Sequence, residues 1–500
     1  MNSETDMQLL EQARRCWDGW REFRRERDRC KRFTYGDQWK DPVIDHGRTV
    51  TEEELIVSQG NLPLKNNLIR RLVRNVLGIY RQRYAIPRVI ARDPLEAARA
   101  ATINTLLDSC SRCNRLEELY SRTLEEFLIS GMAVHKKWFG RRDGRTDCWT
   151  DIISPSRFFI DKAGRDFRGS DISIIGEVHD MRADDLVATF AKAPSHAASI
   201  LGHYGLSDAS GVNPECQVWE VWQKVRTLAL DCHDRQLGRR VTMPASAEPR
   251  VRMLANQRAQ AGLPALDYNW MPVEAWRYSF LTPDGYILAR GYSPYHHGSH
   301  PYIFKAYPFI DGEVHSFVGD IIDQQKLTNR LISMYDWVLR ASAKGVLLFP
   351  EGALPEGVDM ADVVDEWSRF NGVIVYKPRS GVPLPQQVSS KSADIGITEL
   401  LGIQMKMMED ISGVNGALQG KLDNGSMSGT LYDQQTKNSL SALADLLGSF
   451  EDFTRRGTLI DVANIRQFYT RRRVEAIAGV SAPDLSPTPD FLDSCLDFKI

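Results

Sequence analysis

A long helical pattern at residues 317–342 constrains the fold of this chain more than any other feature. Apolar side chains recur there at intervals of three and four residues, and Gly345 follows the pattern. The apolar positions are Ile321, Leu327, Leu331, Tyr335 and Val338. Nearby segments instead have the short apolar runs and turn residues of β-strands, as at 286–290 and 302–307. A long helix beside short strands predicts a chain of the α+β class.

Further helices and strands are predicted along the rest of the chain. The periodicity predicts helices at 7–32, 64–84, 95–131, 183–193, 246–263 and 395–470, the last interrupted at 413–429. Short apolar runs predict strands at 133–138, 149–153, 158–161, 172–178, 218–230, 345–349 and 372–377, and the start of another at 496–500. No repeat of fixed period is recognisable.

The first predicted helix has an arginine-rich face with two interpretations. The arginines alternate with Glu22, Glu26 and Asp28. Opposite charges at helical spacing favour a surface of salt bridges. An arm that binds nucleic acid would have a similar composition, so the sequence leaves both interpretations open.

The overall charge limits the function classes. The chain has 63 Lys and Arg against 65 Asp and Glu, a formal net charge of −2. A protein whose main task is to hold nucleic acid tightly is usually basic, so we expect any DNA contact to be weak or local. No stretch approaches the ~18 apolar residues of a membrane span, and the N-terminus lacks the apolar core of an export signal. A cytosolic chain with no membrane contact is expected.

The cysteines and histidines predict neither a disulfide framework nor a metal site. Eight cysteines are thinly spread, and the pair Cys110 and Cys113 has no second pair at zinc spacing. A denser cluster comprises His296, His297 and His300. Without a neighbouring carboxylate, we interpret it as an interfacial or solvated loop.

Two segments resemble catalytic motifs, but each lacks a residue that its motif requires. Residues 416–422, GALQGKL, resemble a phosphate-binding loop but have one residue too few between the glycines, and Leu422 replaces the hydroxyl side chain that binds magnesium. Residues 425–429, GSMSG, place Met427 where a nucleophile elbow needs serine. The sequence therefore predicts a protein that is not an enzyme and has no cofactor.

Ordered motifs along the chain resemble those of phage portal proteins, in particular the P22-like group. Near the start, RFTYGDQW at 32–39 follows a helix, and NLIRRLVRNVLG at 67–78 precedes PRVI at 87–90. Further motifs are DIISPSRFFID at 151–161, VGDIIDQQKLTNR at 318–330, ISGV at 411–414 and GSMSG at 425–429. Their common order, from about residue 7 to about residue 470, carries the resemblance.

The resemblance implies a portal fold of wing, stem, clip and crown that assembles as a ring of twelve subunits. The N-terminal part of the wing would comprise residues 1–244 and its return 344–412. Stem helices would be at 245–263 and 317–343, with the clip between them at 264–316. A tunnel loop or kink would follow at 413–429 and the crown at 430–500. A helical barrel beyond the crown is not expected, because the sequence ends at Ile500.

The same resemblance implies the function. Such a ring lies at one capsid vertex of the virion, where double-stranded DNA is packaged and ejected, and its subunits are in the host cytoplasm before assembly. Expected partners are the terminase, head–tail adaptor and tail proteins, and the major capsid and scaffolding proteins. The alternatives are another neck or adaptor ring protein, which is usually shorter, and a nucleic-acid-processing enzyme of the packaging system.

Three sets of residues are expected to carry this function. Lys326 and Arg330 are the predicted stem contacts with DNA. The predicted tunnel loop depends on glycines, namely Gly413, Gly420, Gly425 and Gly429; a plain surface loop is the alternative. The predicted clip interface is rich in aromatic side chains, namely Trp270, Trp276, Tyr286, Tyr292 and Tyr295.

Overall fold

The computed structural model describes most of the chain and divides it into two compact units. The described residues are 3–91, 97–161, 166, 168–206, 213–235, 238–264, 266–344, 346–350, 353–355, 357–368, 373–378, 381, 383–388, 396–414, 441–479 and 496–499. The large unit comprises Met1–Thr34, Arg70–Asp320 and Gly413–Ile500. The small unit comprises Tyr35–Ile69 and Ile321–Ser412. Each unit therefore consists of segments that are distant in sequence.

Each predicted helical segment contains a helix, but the helices Glu52–Ser58, Pro194–Gly202 and Arg471–Ala478 were not predicted. In chain order they are α1 (Ser3–Gly19), α2 (Arg21–Tyr35), α3 (Glu52–Ser58), α4 (Leu68–Arg83), α5 (Ala97–Asn114), α6 (Leu116–Ser130), α7 (Ala183–Phe190), α8 (Pro194–Gly202), α9 (Glu248–Gln260), α10 (Ile322–Lys344), α11 (Met360–Ser368), α12 (Ile397–Ser412), α13 (Ala444–Phe468) and α14 (Arg471–Ala478). No helix among the described residues is both long and apolar enough to cross a membrane.

The strands form several antiparallel sheets. In chain order they are β1 (Pro42–Asp45), β2 (Arg48–Thr51), β3 (Arg88–Ala91), β4 (Met132–Arg142), β5 (Arg145–Ile152), β6 (Phe158–Ile160), β7 (Ile174–Arg182), β8 (Glu215–Asp234), β9 (Arg239–Pro244), β10 (Leu266–Leu281), β11 (Ile287–Tyr292), β12 (Tyr302–Ala306), β13 (Pro308–Ile310), β14 (Glu313–Val314), β15 (Val346–Leu348), β16 (Gln386–Val388) and β17 (Leu496–Lys499). The α+β class is therefore confirmed.

A six-stranded sheet forms the centre of the large unit. Its order is β11-β10-β8-β7-β6, with β9 paired to β8, and β10 pairs with β8 along its whole length. Aromatic and branched side chains of these strands form the main core, including Phe159, Trp219 and Trp276. The helix α1 covers this core with Leu9 and Leu10. Apolar burial on this scale, at roughly 25 cal/mol per Å², is the main stabilising contribution to the unit.

The predicted helix at 7–32 is interrupted, and the core explains why. Its two parts, α1 and α2, meet at Trp20. The Trp20 ring is buried in the core and its Nε1 donates a hydrogen bond of 2.9 Å to the carbonyl of Ile160. Gly19 precedes it, and glycine tolerates a change of backbone direction. Anchoring of Trp20 therefore fixes the break between the helices.

A three-stranded sheet and the C-terminal helices complete the large unit. Its order is β12-β4-β5, and α13 packs against β4 and β12. The strand β17 pairs with β3, so the C-terminal strand returns to residues near position 90. The residues predicted as crown thus contribute to the same unit as those predicted as wing.

The predicted clip residues also share sheets with predicted wing residues. The strands β10 and β11 extend the sheet of β6, β7 and β8, and β12 pairs with β4. The helix α9, predicted as a stem helix, contacts this sheet through Val251, which packs with Leu230 and Cys232. The assignment of these segments to wing, stem, clip and crown stays a prediction.

The small unit is built around α10. This helix packs against α12, while β15 and β16 pair between them in sequence. The segment 35–69 contributes the hairpin of β1 and β2 and the helix α3. The predicted strand at 345–349 is confirmed as β15, but the prediction at 372–377 was wrong, because residues 373–378 form no strand. Its apolar alternation was mistaken for sheet pairing.

Candidate functional site

The helix α10 holds the two cations predicted to touch DNA, and both take part in ion pairs of the small unit. The Lys326 Nζ lies 3.0 Å from an Asp41 carboxylate oxygen and 2.8 Å from a Glu52 oxygen. The Arg330 guanidinium lies 3.0 Å from the same Glu52 oxygen. The Lys326 side chain is 16% exposed and that of Arg330 is 56% exposed. Lys326 is therefore committed to internal contacts, whereas Arg330 also faces solvent.

The local sequence fixes Glu52 at the start of α3. Thr51 caps this helix: its hydroxyl accepts a 3.2 Å hydrogen bond from the Glu54 amide, and the Glu54 carboxylate accepts one of 2.9 Å from the Thr51 amide. A carboxylate in the first turn is also stabilised by the helix dipole. Glu52 is buried, and its second carboxylate oxygen has no hydrogen-bond partner among the described residues. Lys326 and Arg330 therefore compensate a buried negative charge.

A second face of α10 binds the backbone of residues 64–69 through polar side chains. The Gln325 carbonyl oxygen accepts hydrogen bonds from the amides of Leu68 and Ile69, at 2.9 and 3.2 Å. Its amide nitrogen donates to the Asn66 carbonyl at 2.7 Å. Because the first amides of a helix lack intrahelical acceptors, Gln325 acts as the cap of α4 from a distant part of the chain.

Asn329 and Ser333 continue this polar stripe at intervals of four residues. The Asn329 carbonyl oxygen accepts from the Asn66 amide at 3.1 Å, and the Ser333 hydroxyl accepts from the Leu64 amide at 3.1 Å. The Asn329 amide nitrogen donates to the side chain of Gln38 at 2.6 Å. The stripe therefore satisfies a backbone segment that has no regular structure of its own.

A charged cluster lies buried in the large unit. The Lys136 ammonium contacts the carboxylates of Glu177, at 2.6 Å, and Glu220. The His179 Nε2 lies 2.8 Å from Glu220, and the Tyr302 hydroxyl donates to Glu177 at 3.0 Å. Burial alone would raise the pKa of Glu220, but Lys136 and His179 outweigh it and hold that pKa well below its usual range. The Glu220 carboxylate is therefore ionised, and both carboxylates pair with Lys136.

This cluster is the one group of metal-ligand type found among the described residues. Ligand atoms of Glu177, His179 and Glu220 lie within 4.8 Å of one another. The Lys136 ammonium contacts both carboxylates, so it occupies the position that a cation would take. Burial lowers the pKa of Lys136, but the two carboxylates outweigh this effect and raise it. The chain itself thus supplies a cation, the Lys136 ammonium, to both carboxylates.

An open groove of about 870 Å³ lies above this cluster. Its lining mixes charged side chains with aromatic ones, which include Trp138, Trp222 and Tyr278. At its edge, Arg142 makes a bidentate ion pair with Asp151, and the Trp138 Nε1 donates to the same carboxylate at 2.8 Å. Because each charged group in the groove has a partner of opposite charge, the groove offers no free charged group to a ligand.

The three histidines of the loop near position 300 do not converge on a common point. His297 stacks on Tyr295, with ring centroids 5.0 Å apart, while His300 meets Trp276 edge to face at 4.7 Å. Burial lowers the pKa of His297 to about 4 and that of His300 to about 3. These two rings are therefore neutral packing groups at pH 7.

The aromatic residues predicted as one clip interface have different environments. Trp270 and Tyr292 are exposed, at 49% and 57%. Trp276 is buried, Tyr286 stacks on His203 at 4.1 Å, and Tyr295 packs against Phe468. Trp270 and Tyr292 are thus the two that face solvent, and the role of the set as an interface stays a prediction.

Of the predicted tunnel-loop glycines, Gly413 is described. It follows α12 with a φ of +66°, and a Cβ placed there would meet the Ala442 side chain at 2.9 Å. Both observations require glycine at this turn. Gly420, Gly425 and Gly429 lie outside the described residues, as does the incomplete phosphate loop at 416–422.

The arginine-rich face of the first helices is largely engaged within the chain. Arg27 forms an ion pair with Glu126 at 2.6 Å, and Arg24 lies over the Trp17 ring at 3.9 Å from its centroid. Arg21 pairs with Asp18 and Arg25 with Glu22. These contacts favour the salt-bridged surface over a nucleic-acid arm.

Sequence reasoning missed the partners of α10. Asp41, Glu52 and Gln38 lie far from α10 in sequence, and no periodic signal joins them to it. Two local signals were available: the capping box at Thr51, and the four-residue spacing of Gln325, Asn329 and Ser333. Both indicate polar contacts, but neither identifies the partner.

Comparison with known proteins identifies the class of the chain. A family model described as phage P22-like portal protein matches residues 10–482. A match of this length defines the chain as a structural protein of a phage, with a place in the capsid of the virion. The chain belongs to the P22-like portal protein family, as its ordered motifs predicted. No curated protein matched the chain.

Proposed function

We propose that the chain assembles into a twelve-subunit ring at one capsid vertex, through which double-stranded DNA is packaged and later ejected. The ring binds the terminase during packaging and head–tail adaptor and tail proteins afterwards, and it joins the capsid with the major capsid and scaffolding proteins. Family membership supports this proposal. The observation that carries it is an exposed apolar surface on the helices of the small unit.

One face of α12 is apolar and exposed. Leu400, Ile403, Met407 and Ile411 follow one another at three- and four-residue spacing, and each is 46–49% exposed. On α10, Met334 and Trp337 are 50% and 56% exposed. A contiguous apolar stripe is costly in water and marks an interface. A second copy of the chain is the partner that a closed ring supplies, through head-to-tail contacts.

Within this ring, we assign α10 and α12 to the stem and residues 345–396 to the clip. What supports this assignment is that α10 and α12 pack together and bracket the paired strands β15 and β16. The helix α9, by contrast, packs on the central sheet of the large unit through Val251. The assignment of 245–263 to the stem and 264–316 to the clip is the alternative.

Of the two cations predicted to touch DNA, Arg330 is the better candidate. Its side chain is 56% exposed and contacts one carboxylate. Lys326 instead bridges two carboxylates and is 16% exposed. We retain the glycine-rich residues 413–429 as the tunnel loop, since Gly413 follows α12 with a left-handed φ of +66°.

Electron microscopy of the purified protein tests the ring directly. Negative-stain class averages of the wild type should show an annulus of twelve-fold symmetry with an axial hole. The variant Ile403→Glu/Met407→Glu should give smaller species, because two carboxylates would be buried in each contact. A compact single-copy wild-type particle would overturn the proposal.

A control variant distinguishes the two stem assignments. Met253→Glu/Leu254→Glu places the same charges on two exposed apolar positions of α9, which are 57% and 42% exposed. This variant should form normal rings if α12 is the stem helix. Normal rings from the α12 variant together with disrupted rings from the α9 variant would instead support the stem at 245–263.

A further inference from the structure

The helix α4 has an exposed face of arginines. Its sequence, LIRRLVRNVLGIYRQR, contains five arginines and no acidic residue. Arg71, Arg74 and Arg81 are exposed and lie at helical spacing with Gly78 between them. At a rise of about 1.5 Å per residue, the face extends roughly 15 Å from Arg71 to Arg81. We call these four residues the α4 arginine face.

The arginines of α4 differ in the contacts that they make within the described parts of the chain. Arg70 pairs with Glu125, and the Arg81 Nε donates a 2.9 Å hydrogen bond to the Ser121 hydroxyl. Arg71 and Arg74 make no ion pair or hydrogen bond within the described parts of the chain. The exposed Arg21 and Arg25 near the N-terminus differ, since each has an acidic neighbour one turn away. The α4 arginine face therefore keeps an uncompensated positive charge.

The glycine in the middle of this face has no structural reason within the described chain. A Cβ added at Gly78 would meet no atom within 4 Å. Alanine would fit there. It would raise the equilibrium constant for helix formation by about a factor of four, because glycine is less favourable than alanine inside a helix. Glycine is used where a ligand approaches the backbone closely. At Gly78 it leaves a shallow gap between Arg74 and Arg81.

We propose that the α4 arginine face binds the phosphate backbone of duplex DNA. Guanidinium groups bind phosphate oxygens in bidentate geometry, and a duplex presents one charge per ~1.7 Å along a rigid rod. Gly78 lets that rod approach the helix. With a net charge of −2 for the whole chain, the contact is local and reversible. The inference rests on the proposed portal function and names a DNA contact outside the predicted stem residues.

The test is a titration of a fluorescently labelled 30-base-pair duplex against the full-length protein at several salt concentrations, read by anisotropy. The variant Arg71→Ala/Arg74→Ala should bind at least about fivefold more weakly, and its slope of log K against log salt should fall by about 2. Arg21→Ala/Arg25→Ala removes the same charge from paired arginines and should bind like the wild type. Alanine favours helices, so both variants should fold.

Gly78→Glu provides a second variant. A carboxylate in the open gap should repel the duplex, so affinity should fall as far as in the double-arginine variant. Wild-type affinity and salt slope in both α4 variants would overturn the inference. So would a result in which the α4 variants lose affinity for poly-glutamate but not for the duplex, because the partner would then be an acidic protein segment.

Microscopy of the same samples separates this inference from the proposed function. Rings with unchanged DNA affinity in the α4 variants would overturn the arginine-face inference alone. A wild type that forms no ring would overturn the ring proposal, while the affinities of the α4 variants would still decide whether the arginine face binds DNA.

Discussion

Lys137 on β4 and Asp461 on α13 form an ion pair that is almost completely buried in the large unit. The two side chains are 0% and 4% exposed, although 324 residues separate them in sequence. Burial raises the pKa of Asp461, and the nearby ammonium of Lys137 partly offsets this effect. The pair fixes α13 against the sheet of β4, β5 and β12.

Loss of one partner of this pair should be strongly destabilising. Asp461→Ala leaves a buried ammonium without a counter-charge, and we expect the free energy of unfolding to fall by about 3–5 kcal/mol. The joint change Lys137→Met/Asp461→Leu should recover most of this loss, because apolar side chains can replace a buried pair. Urea unfolding followed by circular dichroism measures both. Arg471→Ala, which removes an exposed pair with Glu475, should change stability by less than about 1 kcal/mol.

Lys326 should matter for stability and Arg330 should not. Lys326→Met leaves Asp41 and Glu52 less compensated in a buried setting, so we expect a loss of about 2–3 kcal/mol and faster proteolysis within 35–69. Arg330→Ala, at a side chain 56% exposed, should cost under about 1 kcal/mol. Limited trypsin digestion with mass spectrometry locates the cleavage. Equal protection of 35–69 in the wild type and the Lys326 variant would contradict the role of this ion pair.

Gln325 should be required for the start of α4. Gln325→Ala removes the acceptor of two backbone amides, and the expected loss is about 1–2 kcal/mol. Amide hydrogen exchange should rise at Leu68 and Ile69 and not at the centre of α4. Asp323→Asn, on the exposed side of α10, is the control and should leave exchange unchanged. Unaltered exchange at both amides in Gln325→Ala would disprove the capping role.

Stability should fall as the pH is lowered over the range in which His300 is neutral in the folded protein but protonated in the unfolded protein. Burial lowers the pKa of His300 to about 3, whereas an unfolded histidine titrates near ~6.5. Between these values the unfolded state binds more protons, so the free energy of unfolding decreases with falling pH. Over this range, the free energy of unfolding should change less steeply with pH in His300→Gln than in the wild type. The difference in slope should be up to about 1.4 kcal/mol per pH unit. Equal slopes would show that His300 is solvated in the folded protein.

Local patterns predicted many of the elements but missed β10, α3 and the hairpin of β1 and β2, and they identified no partners. The periodicity of α10 predicted its existence because each turn repeats the same apolar spacing. Its ion pair with Asp41 spans 285 residues, and such a contact leaves no local trace. Similarly, the strand pattern indicated β8, but its full-length pairing with β10 follows from the fold.

The strand pattern also could not predict which aromatic residues of the predicted clip interface are buried. Trp270 and Trp276 on β10 are separated by six residues, so strand periodicity gives them the same face. Only Trp276 is covered, by the loop that contains His300. Which part of a long strand is covered depends on a segment that the strand pattern does not describe.

The chain enters the small unit twice, at residues 35–69 and again at 321–412. Between these passages the ribosome must synthesise about 250 residues, which takes roughly 13–50 s at bacterial speeds of about 5–20 residues per second. During that delay the backbone amides at Leu68 and Ile69 have no Gln325 to bind, and Glu52 has no Lys326. The nascent N-terminal segment is therefore exposed to proteases and premature association until α10 leaves the exit tunnel.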